Sequence, residues 1–179
     1  MLKKAGYDFA DRCKHVGFGF VKFPDRILST REGDVVHLTD LLDQSVARAR
    51  QIIVDNAETR GEDFAEDELN TIAEKVGLGA VVYLFQKNGR DRDIIFDWDE
   101  VLDFEGDTGP YLQYTYARCF SILRKAKEQG ITIPNVDDME FIYLNEDDVL
   151  PLIKVLAGFP AAVREAAKTF EPFMISRQI

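Results

Sequence analysis

The sequence predicts a mainly α-helical fold, a helical bundle preceded by a small α/β portion. Three observations carry this reading. Apolar residues recur at spacings of three and four through most segments after residue 38, glycines and prolines fall at the expected ends of those segments, and β-forming residues gather mainly between residues 14 and 38. With 179 residues and 46% hydrophobic content, the chain can bury a real core.

The elements follow in order. Residues 15 to 23 mix β-formers with Gly17 and Gly19 and end at Pro24-Asp25, so they read as a strand entering a turn, and residues 35 to 38 read as a short second strand. Thr39 or Asp40 then caps a helix in which Leu42, Val46, Ala49 and Ile53 form the inner stripe, Arg48 and Arg50 turn away, and the end falls near Asn56. Residues 57 to 63 are polar around Gly61 and divide the chain into two expected parts, 1–60 and 61–179. Leu69, Ile72, Ala73 and Val76 mark a helix that Gly77-Leu78-Gly79 interrupts before it continues to Gln86; that glycine pair reads as a close helix contact or a kink, since a phosphate loop needs a preceding strand.

Residues 94 to 104 are acidic, with Phe96, Trp98, Val101 and Phe104 embedded. A turn at residues 106 to 110 leads to the cleanest helix of the chain, Pro110 to Gln129, with proline in its first turn and Gly130 just past its end. Leu112, Tyr116, Cys119, Leu123 and Ala126 share its inner face, while Tyr111, Tyr114, Arg118, Ser121 and Lys125 share the outer one. Asn145, with Asp148 three residues later, reads as the cap of a further helix closed by Gly158-Phe159-Pro160; Pro160 and Pro172 then open two more.

The formal charge of −10 excludes indiscriminate polyanion binding, so any RNA contact is local. The longest apolar runs fall short of the roughly 18 residues that read as a membrane span, which points to a cytoplasmic protein without a membrane partner. Cys13 and Cys119 offer no zinc pattern and read as buried free thiols. His15 and His37 lack a nucleophile at motif spacing, and Asp97, Asp99, Glu100, Asp103 and Glu105 match no calcium loop and read as a solvated acidic face, so no metal site is expected. The aromatic and cationic outer face, Tyr111, Tyr114, Arg118 and Lys125, has the composition that unstacked RNA bases prefer.

The stretch Asp103-Phe104-Glu105-Gly106-Asp107-Thr108-Gly109-Pro110-Tyr111-Leu112-Gln113-Tyr114-Thr115-Tyr116-Ala117-Arg118 resembles the signature that opens the anticodon-binding domain of class I arginyl-tRNA synthetases. His15-Val16-Gly17-Phe18-Gly19, followed by Leu28-Ser29-Thr30-Arg31-Glu32-Gly33, is similar to the strand and mobile signature loop of the same family. The resemblance continues through Asp40 to Asp43 and Ala73 to Gly77, in the family's order.

The resemblance implies that residues 1–60 end a Rossmann-type catalytic domain and that residues 61–179 connect to, and begin, the helical anticodon-binding domain. It implies a parent arginine–tRNA ligase that uses arginine, arginine tRNA and ATP with magnesium and works as a cytoplasmic monomer. Ser29, Thr30 and Arg31 would handle ATP in the signature loop. Ile27 stands where many class I enzymes have a lysine, so the electrostatic work falls to Arg31, with Lys22 or Arg26 nearby. The family's His-Ile-Gly-His-type motif has no counterpart before Leu28, so the chain alone is expected to be inactive and to hold no cofactor. A stand-alone module that binds tRNA or protein without catalysis is the alternative.

Overall fold

The structure is a computed structural model that describes residues 1–24, 36–145 and 149–179. Helix dominates as predicted, and its longest elements begin and end where the backbone chemistry allows. Helix α1, Leu38–Arg60, stops at Gly61, whose left-handed conformation (φ 66°) brings its N–H and that of Glu62 back to the last carbonyls. Helix α2, Glu66–Lys87, carries Glu66, Asp67 and Glu68 in its first turn, where they complement the helix dipole. The expected boundary at residues 57 to 63 is thus the turn of an antiparallel helical hairpin.

Small residues bring the hairpin together. Ser45 and Ala49 of α1 meet Ala73 and Gly77 of α2, all fully or almost fully buried, and the Ser45 hydroxyl donates to the Gly77 carbonyl at 2.7 Å. A Cβ on Gly77 would lie 2.7 Å from the Val46 backbone. The glycine pair is therefore a close helix contact, and α2 runs through it without the expected interruption, because helix-to-helix packing outweighs the roughly 1 kcal/mol that glycine costs inside a helix.

The hairpin is also a crossover. Strand β1, Val21–Lys22, precedes it and strand β2, Ile94–Ile95, follows it, and the two pair in parallel with Val21 opposite Ile94. The structure corrects the expectations for this region at several points. Of the expected strand over residues 15 to 23 only Val21–Lys22 is paired, its partner is Ile94–Ile95, and the expected second strand is not formed at residues 36 to 38, where Leu38 already opens α1. The inner stripe of α1 is Leu41, Ser45, Ala49 and Ala57; it shares Ala49 with the expected stripe, Leu42, Val46 and Ile53 lie half-buried beside it, and the helix runs past the expected end near Asn56 to Arg60. Neither Thr39 nor Asp40 caps α1; His37 holds the cap position without a side-chain bond. Arg48 and Arg50 do turn away from the buried stripe, and both find partners at the surface: Arg48 lies over the Trp98 ring, 4.8 Å from its centroid, and Arg50 pairs with Glu66 of α2 at 2.7 Å.

The core gathers Leu41, Ala49, Ala80, Val81 and Leu84 with Phe96, Val101 and Leu102, which follow β2 and end the short helix α3, Trp98–Val101. Asp97 caps α3 by accepting the Asp99 N–H at 2.9 Å. Helix α4, Gly109–Glu128, starts with Thr108 accepting the Tyr111 N–H at 3.2 Å and with Pro110 fully buried in its first turn. Past α4 the chain turns at Gly130 (φ 73°).

Helix α5, Val149–Thr169, corrects the reading of Gly158-Phe159-Pro160 as a helix end: Pro160 lies inside it, on the exposed side, and forfeits one backbone hydrogen bond. Ile153, Gly158, Ala162 and Ala166 continue one covered stripe straight past the proline, which keeps the helix whole. Asp148 lies outside the described residues, and the described helix opens at Val149. Pro172 precedes α6, Phe173–Ser176, as predicted. Cys13 and Cys119 are both exposed, contrary to the expected burial, because each lies on a segment that no described element covers. Among the described residues no helix is long and apolar enough to cross a membrane.

Candidate nucleic-acid interface

The start of α4 is fixed before any ligand is considered. A Cβ on Gly109 would meet the Gly79 carbonyl at 2.8 Å, so α4 rests backbone to backbone on α2. Gln113 donates to the Lys75 carbonyl at 2.9 Å, and Lys87 donates to the Asp107 carbonyl at 2.9 Å while pairing with Glu100 at 3.0 Å. Tyr83 donates to the Asp107 carboxylate. Burial first, then that hydrogen bond and the carboxylate's charge, push the Tyr83 phenol above its usual range, so it remains a neutral donor.

This anchoring places Tyr111 and Tyr114 along a groove of about 560 Å³ between the turn of the α1–α2 hairpin and the first turns of α4. Phe64 and Phe104 supply two further rings, and Asn56, Arg60, Glu62 and Glu105 supply polar edges. Tyr111 and Tyr114 are 43% and 50% exposed. One turn along α4, the Arg118 guanidinium lies 5.6 Å from the Tyr114 ring centroid with Nη1 3.5 Å from the phenol oxygen, and Lys125 is exposed two turns further. Rings partly open to solvent can stack on unpaired bases, and the cations above them can meet phosphates.

The structure brings Tyr111, Tyr114 and Arg118 together and leaves Lys125 farther along the same helix. Sequence reasoning missed Phe64, Phe104, Arg60 and Asn56, because only the hairpin turn carries them to α4. An isolated Phe64 inside the polar stretch 57 to 63 and its flank was the one available signal. The expected inner face of α4 is not buried: Tyr116 is 70% and Leu123 53% exposed, Cys119 is exposed, and Leu112 and Ala126 are half-buried. The helix touches α2 only through its first turns, and beyond them no described layer covers its apolar stripe. Helix amphipathicity names a face that can be buried; a partner element must then be there to bury it.

Ser29, Thr30 and Arg31, with Leu28 and Arg26, lie outside the described residues. Lys22, just ahead of them, pairs with Asp93 at 2.5 Å. That bond to Lys22, then the Phe20 N–H, hold the Asp93 carboxyl below the usual carboxylate range.

Comparison with known proteins converges on one family. A family model described as tRNA synthetases class I (R), catalytic domain, matches residues 1–98. The chain belongs to the class I arginyl-tRNA synthetases. A second model, the DALR anticodon binding domain, matches residues 112–179, beginning one residue past Tyr111. An arginine–tRNA ligase of Clostridium botulinum is 47% identical over 178 residues, covering 99% of this chain and 30% of that protein. One from Clostridium kluyveri is 43% identical over 179 residues, with the same coverage. The chain therefore spans about 30% of the length of these curated relatives.

Solved arginyl-tRNA synthetases share the fold. The Thermus thermophilus enzyme superposes with a TM-score of 0.75 at 31% identity, covering 99% of this chain and 27% of that one. The Plasmodium falciparum enzyme gives 0.68 at 26% identity, covering 92% and 26%. The small parallel sheet with its helical crossover, followed by helices, is thus the region where catalytic and anticodon-binding parts of an arginyl-tRNA synthetase meet.

Proposed function

We propose that this chain serves an arginine–tRNA ligase, with residues 1–60 closing the catalytic part and residues 61–179 leading into the tRNA-holding part. In the complete reaction the arginine carboxylate attacks the α-phosphate of ATP, supplied with magnesium, and pyrophosphate leaves. A ribose hydroxyl of the terminal adenosine of arginine tRNA then takes the arginyl group and AMP leaves. The observation that carries the reading is the presence, in order on one chain, of the catalytic-domain match over residues 1–98 and the anticodon-domain match over residues 112–179. Ser29, Thr30 and Arg31 belong to the ATP-handling loop in this reading, which rests on the sequence resemblance.

The RNA-contacting residues in this reading are Tyr111, Tyr114, Arg118 and Lys125. Their support is geometric: two half-exposed rings on the groove, a guanidinium against one of them, and a second exposed cation on the same helix. A base stacked on either ring contributes about 1–3 kcal/mol. In the full-length ligase, changing Arg118 and Lys125 together to alanine should weaken tRNA binding and reduce the slope of log affinity against log salt by roughly 1–2. Thermal stability should hardly move, because both side chains are exposed. Affinity equal to wild type at both low and high salt would show this face to be solvated surface only.

A further inference from the structure

Arg90 lies in the turn between α2 and β2, away from the groove and the outer face of α4, and its side chain joins three segments that are distant in sequence. Nη1 donates to the Gly17 carbonyl at 2.6 Å, Nε donates to the Phe170 carbonyl at 3.1 Å, and Nε also stands 3.2 Å from Glu171 Oε1. The main chain repeats the link, since Gly19 N–H donates to the Arg90 carbonyl at 2.8 Å and Arg90 N–H donates to Glu171 Oε2 at 3.4 Å. The two charged side chains are only 31% and 15% exposed, so this is no ordinary surface pair.

The far side of the contact is strained. Phe170 has φ 61°, the non-glycine residue in the left-handed region among the described residues. Such backbone persists only where its surroundings over-determine it. Here Arg90 holds its carbonyl, and Lys14 Nζ sits 4.6 Å from its ring centroid. Gly17 and Gly19 lead into β1 within the catalytic-domain match, whereas Phe170 and Glu171 form the corner between α5 and α6 within the anticodon-domain match.

We infer that Arg90 is a positioning residue of the ligase, fixing residues 17–22 against the α5–α6 corner and so holding the catalytic and tRNA-holding parts in one register. The inference rests on the ligase reading above. It needs the planar guanidinium fork: a lysine keeps the charge opposite Glu171, but its single nitrogen cannot stand both where Nη1 meets the Gly17 carbonyl and where Nε meets Phe170 and Glu171. Such a joint acts on rate more than on RNA affinity. The α4 face is untouched by it, while small errors in how two reacting parts are presented to each other are costly.

In the full-length ligase, Arg90→Ala and Arg90→Lys should each lower kcat for aminoacylation by about 10- to 100-fold and leave KM for arginine tRNA within about twofold. Both should be assayed where circular dichroism shows them folded. Glu171→Gln, which keeps an acceptor but loses the charge, should show a smaller fall in kcat and carries the test should the Arg90 variants not fold. In the 179-residue chain, hydrogen exchange at the Gly19 and Phe20 amides should quicken in the Arg90 variants while α1 and α2 stay protected. A kcat within about twofold of wild type in every folded variant, or unchanged exchange at Gly19 and Phe20, overturns the joint. A wild-type ligase that fails to charge arginine tRNA overturns the functional reading instead, and the exchange measurement still decides whether Arg90 holds the strand.

Discussion

Helices α1 and α4 are alike in length, 23 and 20 residues, and both carry an apolar stripe, yet only one of them is packed. Helix α1 buries Leu41, Ser45, Ala49 and Ala57 against α2. Helix α4 buries Gly109 and Pro110 and leaves Tyr116, Phe120 and Leu123 more than half exposed. The difference lies in the partner, since small residues on α1 and α2 let two backbones approach, whereas most of α4 faces no described layer. Packing makes the hairpin a platform on which the first turns of α4 rest, with Tyr111 and Tyr114 half exposed along the groove.

The sharpest test of this contrast compares two large side chains. Phe96 is 1% exposed, with its ring against Phe23 and Trp98, so Phe96→Ala should lower the unfolding free energy by about 3–5 kcal/mol. Leu123→Ala removes a side chain of comparable character at 53% exposure and should cost no more than about 0.5 kcal/mol. Urea unfolding of both variants checks the pair; a loss at Leu123 equal to that at Phe96 would mean that α4 is covered in solution.

Two helical glycines sharpen it further. Gly77→Ala puts a methyl group 2.7 Å from the Val46 backbone, which cannot swing aside, and should cost about 1–3 kcal/mol. Gly158→Ala, inside α5, meets no backbone but only the Gln178 side-chain amide at 3.3 Å, which donates to the Val155 carbonyl at 2.6 Å; the shift asked of that side chain offsets part of the helix gain and should leave stability within about 0.5 kcal/mol of wild type. A clear fall in melting temperature for Gly77→Ala alone is the expected result, and an equal loss in both would break the distinction between a backbone contact and a side-chain contact.

The smallest effect concerns Asp93, which ties Phe20 and Lys22 to the start of β2. Its folded pKa is lowered, so the unfolded chain binds the proton first, and stability from this group is complete above the ordinary aspartate range and lost as pH falls through the folded value. Asp93→Asn should flatten that acid limb of the stability profile without altering stability's slope near pH 7. An unchanged acid limb would show that the exposed pair contributes nothing measurable.

Sequence alone determined what depends on nearby residues. Pro110 and Gly130 delimit α4 because φ restriction and a left-handed turn act within a few residues, and the two family stretches are contiguous in the chain. Tertiary structure decided the rest. Whether Gly77 and Pro160 break a helix depends on what lies across from it; whether Leu123 is core depends on a partner layer; and the pairing of Val21 with Ile94, like the meeting of Phe64 with Tyr114 and of Arg90 with Glu171, joins residues that no local pattern relates. Burial and pairing are properties of two surfaces, and the periodicity of one segment describes only its own.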